Sequence, residues 1–215
     1  MNETFSRRQA CRTLLHAGAL ILIPATRAAA YARPFCRFSL ADGWTDRGSA
    51  AYVTATARDR DRSGVPHVVD EIERHFDFRA EIDVYVAENQ NNAFATIAGG
   101  RKILVVDVRF LENVNRLTGT QWSAIQVIAH EIGHHIAGFA DDAHRNELNA
   151  DYWSGQALQR LGSAKDAATT TILTLGTEAD TPSHPNKYAR AQAVAQGWVD
   201  STDGRVDYSH CLECR

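Results

Sequence analysis

The sequence predicts an α+β domain in which a small β-sheet is combined with a larger helical part. Short apolar segments that alternate with polar residues or flank a Gly-Gly pair, as strands of a hairpin do, occupy residues 82–107. Segments with apolar residues every three or four positions, typical of helices, lie before and after them. The chain has 215 residues, which is enough for one ordinary domain and too few for two sizeable ones.

The predicted domain begins with a helix and a strand. Alternating Ile82, Val84 and Val86 predict a half-buried strand, and a further strand is expected over Ser49–Ala57. Before the strand at Ile82, an amphipathic helix is predicted, and Pro66 suits its start. The apolar face of that helix consists of Val65, Val68, Val69, Ile72 and Phe76.

A β-hairpin is predicted next. Asn92–Ile97 and Lys102–Asp107 flank Gly99-Gly100, a dipeptide typical of hairpin turns. Ile103–Val106 is apolar on both faces, which suits a buried strand. The first strand of the hairpin is therefore expected to lie nearer the edge of the sheet.

The longest helical pattern runs from Thr120 to Phe139. Thr118 and Thr120 are candidate N-caps, and Gly138 is a candidate stop at the C-terminus. The apolar residues recur every three or four positions along this segment: Trp122, Ile125, Ala129, Ile132 and Ile136.

This helix carries the motif His130-Glu131-Ile132-Gly133-His134. Residues four apart share a helix face, so His130 and His134 can bind one metal ion together. Glu131 stands beside the first ligand, where it can take a proton from water at the metal. The alternative is a core helix with two hydrogen-bonded histidines. His135 lies about 140° from His130 around the helix, so we expect it in a structural role.

A catalytic zinc site takes three protein ligands and keeps one position open, so another segment must supply the third. A second helix is predicted over Asn146–Leu161, and Glu147 and Asp151 share one face of it. Glu147 is the candidate oxygen ligand, and Asp151 is a candidate acceptor for the free ring nitrogen of a ligand histidine. Alternatively, both are solvated charges. Three residues of the expected intervening loop compete as ligands: Asp141, Asp142 and His144.

Together these motifs resemble the gluzincin peptidases, in particular the group that contains the HtpX heat-shock protease and the CAAX prenyl proteases. The resemblance spans about Asp83 to Val199 and includes Glu147-x-x-Ala150-Asp151 after the histidine motif. Asn92-Ala93-Phe94-Ala95 is similar to the edge-strand motif of that group. Ser183-His184-Pro185, before a helix ending at Gly197-Trp198, is similar to its downstream His-Pro motif.

The resemblance implies a zincin-like fold, with the cleft between the sheet and the active-site helix. It implies one Zn²⁺ ion per chain held by His130, His134 and Glu147. Glu131 would be the general base, and Asp151 would orient a ligand histidine. The relatives are integral membrane proteins, whereas no membrane span is expected here after the N-terminal segment, so membrane-protein substrates are not implied.

Two further site predictions concern the substrate. Pro185 suits the first position of a helix, which would make His184 the cap residue and a candidate donor to the oxyanion of the reaction; the alternative is a capping or surface histidine. An edge strand beside a zinc cleft can bind an extended peptide through main-chain hydrogen bonds. Asn92, Ala93 and Phe94 are therefore candidate substrate-binding residues, and an ordinary hairpin is the alternative.

Residues 1–30 are predicted to be an export signal peptide. Arg7, Arg8 and Arg12 precede the apolar stretch Ala17–Ala25, and three alanines at 28–30 offer a cleavage site. That stretch is too short to span a bilayer, which needs roughly 20 residues. The arginine pair resembles a twin-arginine signal, while general secretion and an uncleaved anchor remain open. The predicted location is periplasmic or secreted.

Charge and cysteine content bound the partners of the remaining domain, residues 31–215. The chain has a formal net charge of −3, and residues 1–30 contain four arginines and one glutamate, so −3 − 3 leaves −6 on the domain. With no basic stripe, neither nucleic acid nor an anionic membrane surface is an expected partner. An exported domain is expected to contain a disulfide, but the pairing among Cys36, Cys211 and Cys214 stays open.

The sequence therefore predicts a zinc-dependent endopeptidase that hydrolyses polypeptide substrates by metal-activated water, with Glu131 as the general base. Two alternatives stand beside it. One is a non-catalytic zinc-binding or chaperone-like domain, which would have no use for Glu131 beside an open metal position. The other is a zinc amidase that acts on cell-wall peptides; the edge strand favours a polypeptide substrate over it.

Overall fold

The computed structural model describes residues 63–76, 82–87, 91–139 and 142–202. The predicted signal peptide (1–30), the strand expected over Ser49–Ala57 and the candidate ligand Asp141 lie outside the described residues. So do Cys36, Cys211 and Cys214 and the disulfide expected among them.

The described residues form six helices and a three-stranded mixed sheet, so the predicted α+β class is confirmed. In chain order the elements are α1 (Val65–Phe76), β1 (Ile82–Ala87), β2 (Ala93–Ala98), β3 (Arg101–Asp107), α2 (Val108–Thr118), α3 (Trp122–Ala137), α4 (Ala143–Leu161), α5 (Lys165–Leu175) and α6 (Lys187–Thr202). No helix within these ranges is long and apolar enough to cross a membrane.

The sheet has the strand order β1-β3-β2. Strand β1 is parallel to β3, and β2 is antiparallel to it, with Ala93 opposite Val106 and Ala98 opposite Arg101. Gly99 and Gly100 form the turn with φ values of 60° and 77°, a backbone conformation that glycine adopts without steric cost. The predicted hairpin is confirmed, and β2 is an edge strand of the described sheet.

The two faces of the sheet belong to different apolar clusters. Ala93, Leu104 and Val106 join the main core, which the helices build with them. Phe94 and Val105 form a small separate cluster on the opposite face. Because successive side chains of a strand alternate between faces, β2 presents Ala93 to the helical core and Phe94 away from it.

Helix α3 confirms the predicted helix and its stop at Gly138, where φ is 72°. The N-cap position of this helix is Gln121, whose side chain makes no capping hydrogen bond, and the Thr120 hydroxyl before it accepts from the Trp122 N–H at 3.3 Å. The N-cap prediction for Thr118 is wrong: its hydroxyl donates to the Val114 carbonyl at 2.8 Å, inside the preceding helix α2.

Helix α4 begins three residues before the predicted Asn146. The Asp142 carboxylate accepts from the Arg145 N–H at 2.7 Å and caps the helix, since a carboxylate satisfies an unpaired N–H of the first turn. His144 therefore lies on the helix rather than in the expected loop, and its Nε2 donates to the Thr181 carbonyl at 2.6 Å. Asp142 and His144, two of the competing metal ligands, are thus engaged elsewhere.

The start of helix α6 corrects another prediction. Pro185 and His184 precede the helix, which begins at Lys187. The Asn186 side chain accepts hydrogen bonds from the Tyr188 and Ala189 N–H groups, each at 3.1 Å. The short amide side chain reaches both unpaired donors, so Asn186 replaces His184 as the cap.

Glycines let the helices that carry the site pack through their backbones. A Cβ added at Gly133 of α3 would lie 2.7 Å from the Ala150 carbonyl oxygen of α4. At the crossing of α4 and α6, a Cβ at Gly197 would lie 1.9 Å from the Tyr152 carbonyl oxygen. Neither position accepts a larger residue unless a helix shifts, so glycine fixes the spacing of α3, α4 and α6.

Candidate metal centre

Three predicted ligands meet between helices α3 and α4. His130 and His134 come from successive turns of α3, and Glu147 comes from the second turn of α4. His130 Nε2 lies 3.4 Å from Glu147 Oε2, and His134 Nε2 lies 3.7 Å from Glu147 Oε1. One candidate ligand atom from each residue lies within 4.8 Å of the others, and all three residues are buried. The structure therefore contains a cluster that can hold a metal ion.

The spacing of this cluster fits a small divalent cation. Zinc binds nitrogen and carboxylate oxygen at about 2.0–2.2 Å, so tetrahedral ligand atoms lie about 3.3–3.6 Å apart. The distance from His130 Nε2 to Glu147 Oε2, 3.4 Å, lies within this range, and the distance from His134 Nε2 to Glu147 Oε1, 3.7 Å, lies just above it. No described residue makes a well-directed hydrogen bond to either ring nitrogen of the fully buried His134. A metal ion would satisfy one of these nitrogens, and an imidazole-rich donor set suits zinc better than calcium or magnesium.

Asp151 holds the ring of His130 in place. Its Oδ1 lies 2.8 Å from His130 Nδ1, and both side chains are fully buried. Burial alone would raise the pKa of Asp151, but Arg190 and His130 lower it below its ordinary value. The ionised carboxylate can only accept, so Nδ1 carries the donated hydrogen and Nε2 faces Glu147. This is the contact that the spacing of Glu147 and Asp151 predicts.

Arg190 of helix α6 completes the cluster, although the sequence analysis did not single it out. Its Nε lies 2.7 Å from Asp151 Oδ2, and a terminal guanidinium nitrogen lies 3.0 Å from Asp151 Oδ1 and 3.3 Å from Glu147 Oε2. Arg190 stands two turns before Gly197, hence on the face of α6 that packs closely on α4. In the sequence, the signal that could have identified it is an arginine two turns before a glycine, on the same face of the helix.

The charges of the cluster favour a cation. Burial raises the pKa of Glu147, but His130 and Arg190 outweigh it and hold that pKa well below the ordinary range. Glu147 and Asp151 are thus both ionised, and the positive charges that face them are the guanidinium of Arg190 and the proton on His130. A bound cation would take the place of that proton.

The two histidines of the cluster have opposite pKa shifts. Burial and the neighbouring His130 lower the pKa of His134 to about 3, which keeps its ring neutral and able to bind a metal. Burial also opposes a charge on His130, but Asp151 and then Glu147 raise its pKa to about 10. The carboxylates therefore hold a proton on His130, and a metal ion bound at Nε2 would displace it.

Glu131 is fully buried beside the ligands. Its Oε2 accepts a hydrogen bond from the Ala95 main-chain N–H of β2 at 2.8 Å. Burial raises the pKa of Glu131 to about 8, with a further contribution from Glu147, while His130 and the Ala95 N–H oppose the shift. A carboxyl group that titrates near neutral pH suits the exchange of protons with a reacting group.

His184 reaches the cluster from the loop between α5 and α6. Its Nε2 lies 3.6 Å from Glu147 Oε2, and its Nδ1 lies 2.8 Å from the Ser183 hydroxyl. The His184 N–H also donates to the Thr181 hydroxyl at 2.9 Å, and His144 binds the same turn at Thr181. Burial lowers the pKa of His184. The loop therefore holds an imidazole beside the ligands, close to where the sequence predicts it.

The predicted substrate-binding residues lie at the start of β2. Asn92 is buried, and its Oδ1 accepts the Ala93 N–H at 2.9 Å. The Phe94 side chain is buried with Val105 on the opposite face of the sheet. The strand approaches the site through its main chain at Ala95, and substrate binding by these residues stays a prediction.

His135 donates from Nε2 to the Ile103 carbonyl at 3.0 Å, consistent with the structural role expected for it.

No family model, curated protein or solved structure matches this chain.

Proposed function

We propose that the protein is a zinc-dependent endopeptidase with a zincin-like fold of the gluzincin type. The observation that supports the proposal most is the convergence of His130, His134 and Glu147 beside the buried carboxyl group of Glu131. Two imidazoles and one carboxylate leave a fourth zinc position for water or substrate, as catalytic zinc sites require. A structural zinc site is closed by four protein ligands and needs no adjacent base.

The chain's residues divide the proposed reaction among them. Bound zinc would polarise the substrate carbonyl and lower the pKa of water towards about 7. Glu131 takes the proton from the attacking water and returns it to the leaving amine. Asp151 keeps the hydrogen of His130 on Nδ1, so Nε2 remains the ligand atom. His184 donates a hydrogen bond to the oxyanion that develops on the substrate carbonyl.

The proposed substrate is an extended polypeptide. Strand β2 is an edge strand of the described sheet, and its main chain reaches the site at Ala95. An extended peptide laid along such an edge gains main-chain hydrogen bonds whatever its side chains are. With residues 1–30 as the proposed export signal, hydrolysis would take place in the periplasm or outside the cell.

The proposal is tested on the purified chain by zinc analysis and a peptide-library assay. We expect one zinc ion per chain and cleavage that a chelator abolishes. We expect Glu131→Gln to retain zinc and to lose turnover by about 10²- to 10⁴-fold, the usual effect of removing a general base. Asp166→Asn, which neutralises an exposed acid of α5, is the matched control and should retain full activity.

The other outcomes separate the alternatives. His134→Ala should lose zinc, and a variant that still binds one ion with unchanged affinity would remove His134 from the ligand set. Zinc binding without peptide hydrolysis in the wild-type chain would favour the non-catalytic domain. Release of peptides from cell-wall fragments alone would favour the amidase. Full activity of Glu131→Gln would contradict the proposed mechanism.

A further inference from the structure

The hydrogen-bond pattern of the hairpin fixes which main-chain groups of β2 face away from β3. The Asp107 N–H donates to the Asn92 carbonyl at 3.1 Å, so these two residues form a hydrogen-bonded pair of the antiparallel ladder. Such pairs alternate with pairs whose main-chain groups point outward. Phe94 and Thr96 therefore direct their main-chain groups to β3, whereas Ala93, Ala95 and Ile97 direct theirs to the free side of β2.

One outward N–H of this strand binds the carboxyl group of Glu131. The Ala95 N–H and Glu131 Oε2 are 2.8 Å apart, and both residues are fully buried. The contact joins the edge strand to helix α3 at Glu131, which directly follows His130 in the helix. A buried N–H and a buried carboxyl oxygen each need a hydrogen-bond partner, and this contact satisfies both.

We propose that the Ala95 main-chain N–H is a positioning group that holds Glu131 in the orientation needed for proton transfer. The inference rests on the proposed function, because it assigns Ala95 a part in the same reaction. With Oε2 held by the amide, Oε1 is the oxygen left to exchange the proton; it has no hydrogen-bond partner among the described residues. The Ala95 N–H is then occupied by Glu131, and a peptide along the edge would bind other outward groups of β2.

A positioning role and a purely structural role predict different losses when the N–H is removed. If the bond only braced β2 against α3, its loss would lower stability and leave turnover per folded molecule unchanged. If it holds the base, kcat falls while the zinc content stays the same, since the ligands are not altered.

The test replaces the main-chain N–H of Ala95 by an ester oxygen in the full zinc-loaded chain. Incorporating lactic acid at Ala95 turns the amide into an ester, which removes the N–H and keeps the side chain. The ester also weakens the Phe94 carbonyl as an acceptor, and that carbonyl faces β3. The comparison variant carries the α-hydroxy analogue of isoleucine at Ile97, which removes another outward N–H and weakens the Thr96 carbonyl, also facing β3. Because β2 is also the proposed peptide-binding edge, both esters alter that edge, and the two variants are compared in kcat at saturating peptide.

We expect the ester at Ala95 to lower kcat by about 10- to 100-fold relative to the ester at Ile97, as misplacement of a catalytic group does. Each variant should hold one zinc ion per chain. Equal kcat values in the two ester variants would overturn the proposal. So would a loss at position 95 that zinc depletion or unfolding accounts for fully.

A measurement without turnover keeps this inference separate from the proposed function. The amide proton resonance of Ala95 is compared between the wild-type chain, Glu131→Gln and Glu131→Ala. We expect an upfield shift in Glu131→Ala, a smaller one in Glu131→Gln, which keeps an acceptor oxygen, and an unchanged Ile97 resonance in both. An unchanged Ala95 resonance overturns the inference by itself, whereas an inactive wild-type chain with the expected shifts overturns the peptidase proposal and leaves the contact as a structural one.

Discussion

Asp151 links the candidate metal ligands of α3 to Arg190 of α6, because it accepts hydrogen bonds from both His130 and Arg190. We expect Asp151→Asn to weaken zinc binding by about 10- to 100-fold, the usual effect of changing a group that orients a ligand histidine. The amide keeps the shape of the side chain but loses the charge that fixes the hydrogen on His130 Nδ1. Competition against a chromophoric chelator measures the affinity.

The control for this prediction is again Asp166→Asn, which removes an acidic charge from an exposed position of α5. Its zinc affinity should equal that of the wild-type chain. If Asp151→Asn binds zinc as tightly as this control, Asp151 does not orient His130 in the way that the 2.8 Å contact indicates.

At the scale of single residues, the sequence predicts side chains that share a helix turn and misses those that come from elsewhere. His130 with His134, and Glu147 with Asp151, are each four apart, so helix geometry alone places each pair on one face. Arg190 is 39 residues from Asp151, and no local pattern connects the two. The Ala95 contact is made by a main-chain N–H, which every residue except proline possesses, so residue identity carries no trace of it.

Among the elements, the packing of α3 on α4 depends on Gly133. In Gly133→Ala the added Cβ would lie 2.7 Å from the Ala150 carbonyl oxygen, so α4 must move away from α3. Glu147 stands three residues before Ala150 and would move with it. We expect a loss of about 1–3 kcal/mol in the free energy of unfolding, as overpacking costs, together with weakened zinc binding. Urea denaturation and zinc analysis measure the two effects.

Gly197→Ala serves as the control because it overpacks α6 against α4 without separating the helices that carry the ligands. Its Cβ would lie 1.9 Å from the Tyr152 carbonyl oxygen, so stability should fall at least as far as in Gly133→Ala. The folded fraction should retain one zinc ion per chain, and because Arg190 alone moves with α6, the affinity should fall less than in Gly133→Ala. Zinc affinity in Gly133→Ala equal to that of Gly197→Ala would contradict the specific role assigned to Gly133.

The elements themselves were predictable to different degrees. Helix α2 lies where the sequence analysis predicted no element, although the signals exist: Asp107 accepts from the Arg109 N–H at 2.9 Å as the cap, and Gly119 ends the helix with φ of 72°. Helix α5 contains three consecutive threonines, which have low helix propensity, and packing of Ala168 and Ile172 holds it. The parallel pairing of β1 with β3 could not be predicted, because the apolar pattern of a strand does not say which strand lies beside it.

For the whole molecule, Glu73 of α1 makes stability depend on pH. Burial and the neighbouring Asp70 raise the pKa of Glu73 from about 4.5 to about 7, against the opposing charge of Lys102. Between these two values the folded chain binds more protons than the unfolded chain. This contribution to stability is therefore fully present below about pH 4.5 and is lost as the pH rises through 7.

We expect Glu73→Gln to be more stable than the wild-type chain at pH 8, by less than about 1 kcal/mol because solvent screens a half-buried group. The difference should shrink towards pH 4, where the wild-type carboxyl group is neutral. Urea denaturation at several pH values measures it. Glu112→Gln on α2 is the control and should follow the wild-type pH dependence; a Glu73→Gln profile that also follows it would contradict the prediction.

The overall class followed from the sequence because alternating and helical apolar patterns occupy separate segments. The contact between α4 and α6 did not, because glycines mediate it and the backbones themselves touch, as at Gly155 and Val194. An apolar stripe signals a buried face, whereas a glycine signals only that something approaches closely. This unpredicted contact between α4 and α6 is also the one that brings Arg190 to the candidate metal centre.

Helices α3 and α4 are consecutive in the chain, and together they supply all three candidate ligands. During synthesis both helices leave the ribosome before α6 does. A nascent chain thus possesses the complete ligand set while Asp151 still lacks its guanidinium partner. If the chain binds a metal ion at that stage, the later docking of α6 would bring Arg190 to Asp151 and strengthen the hold on the ion.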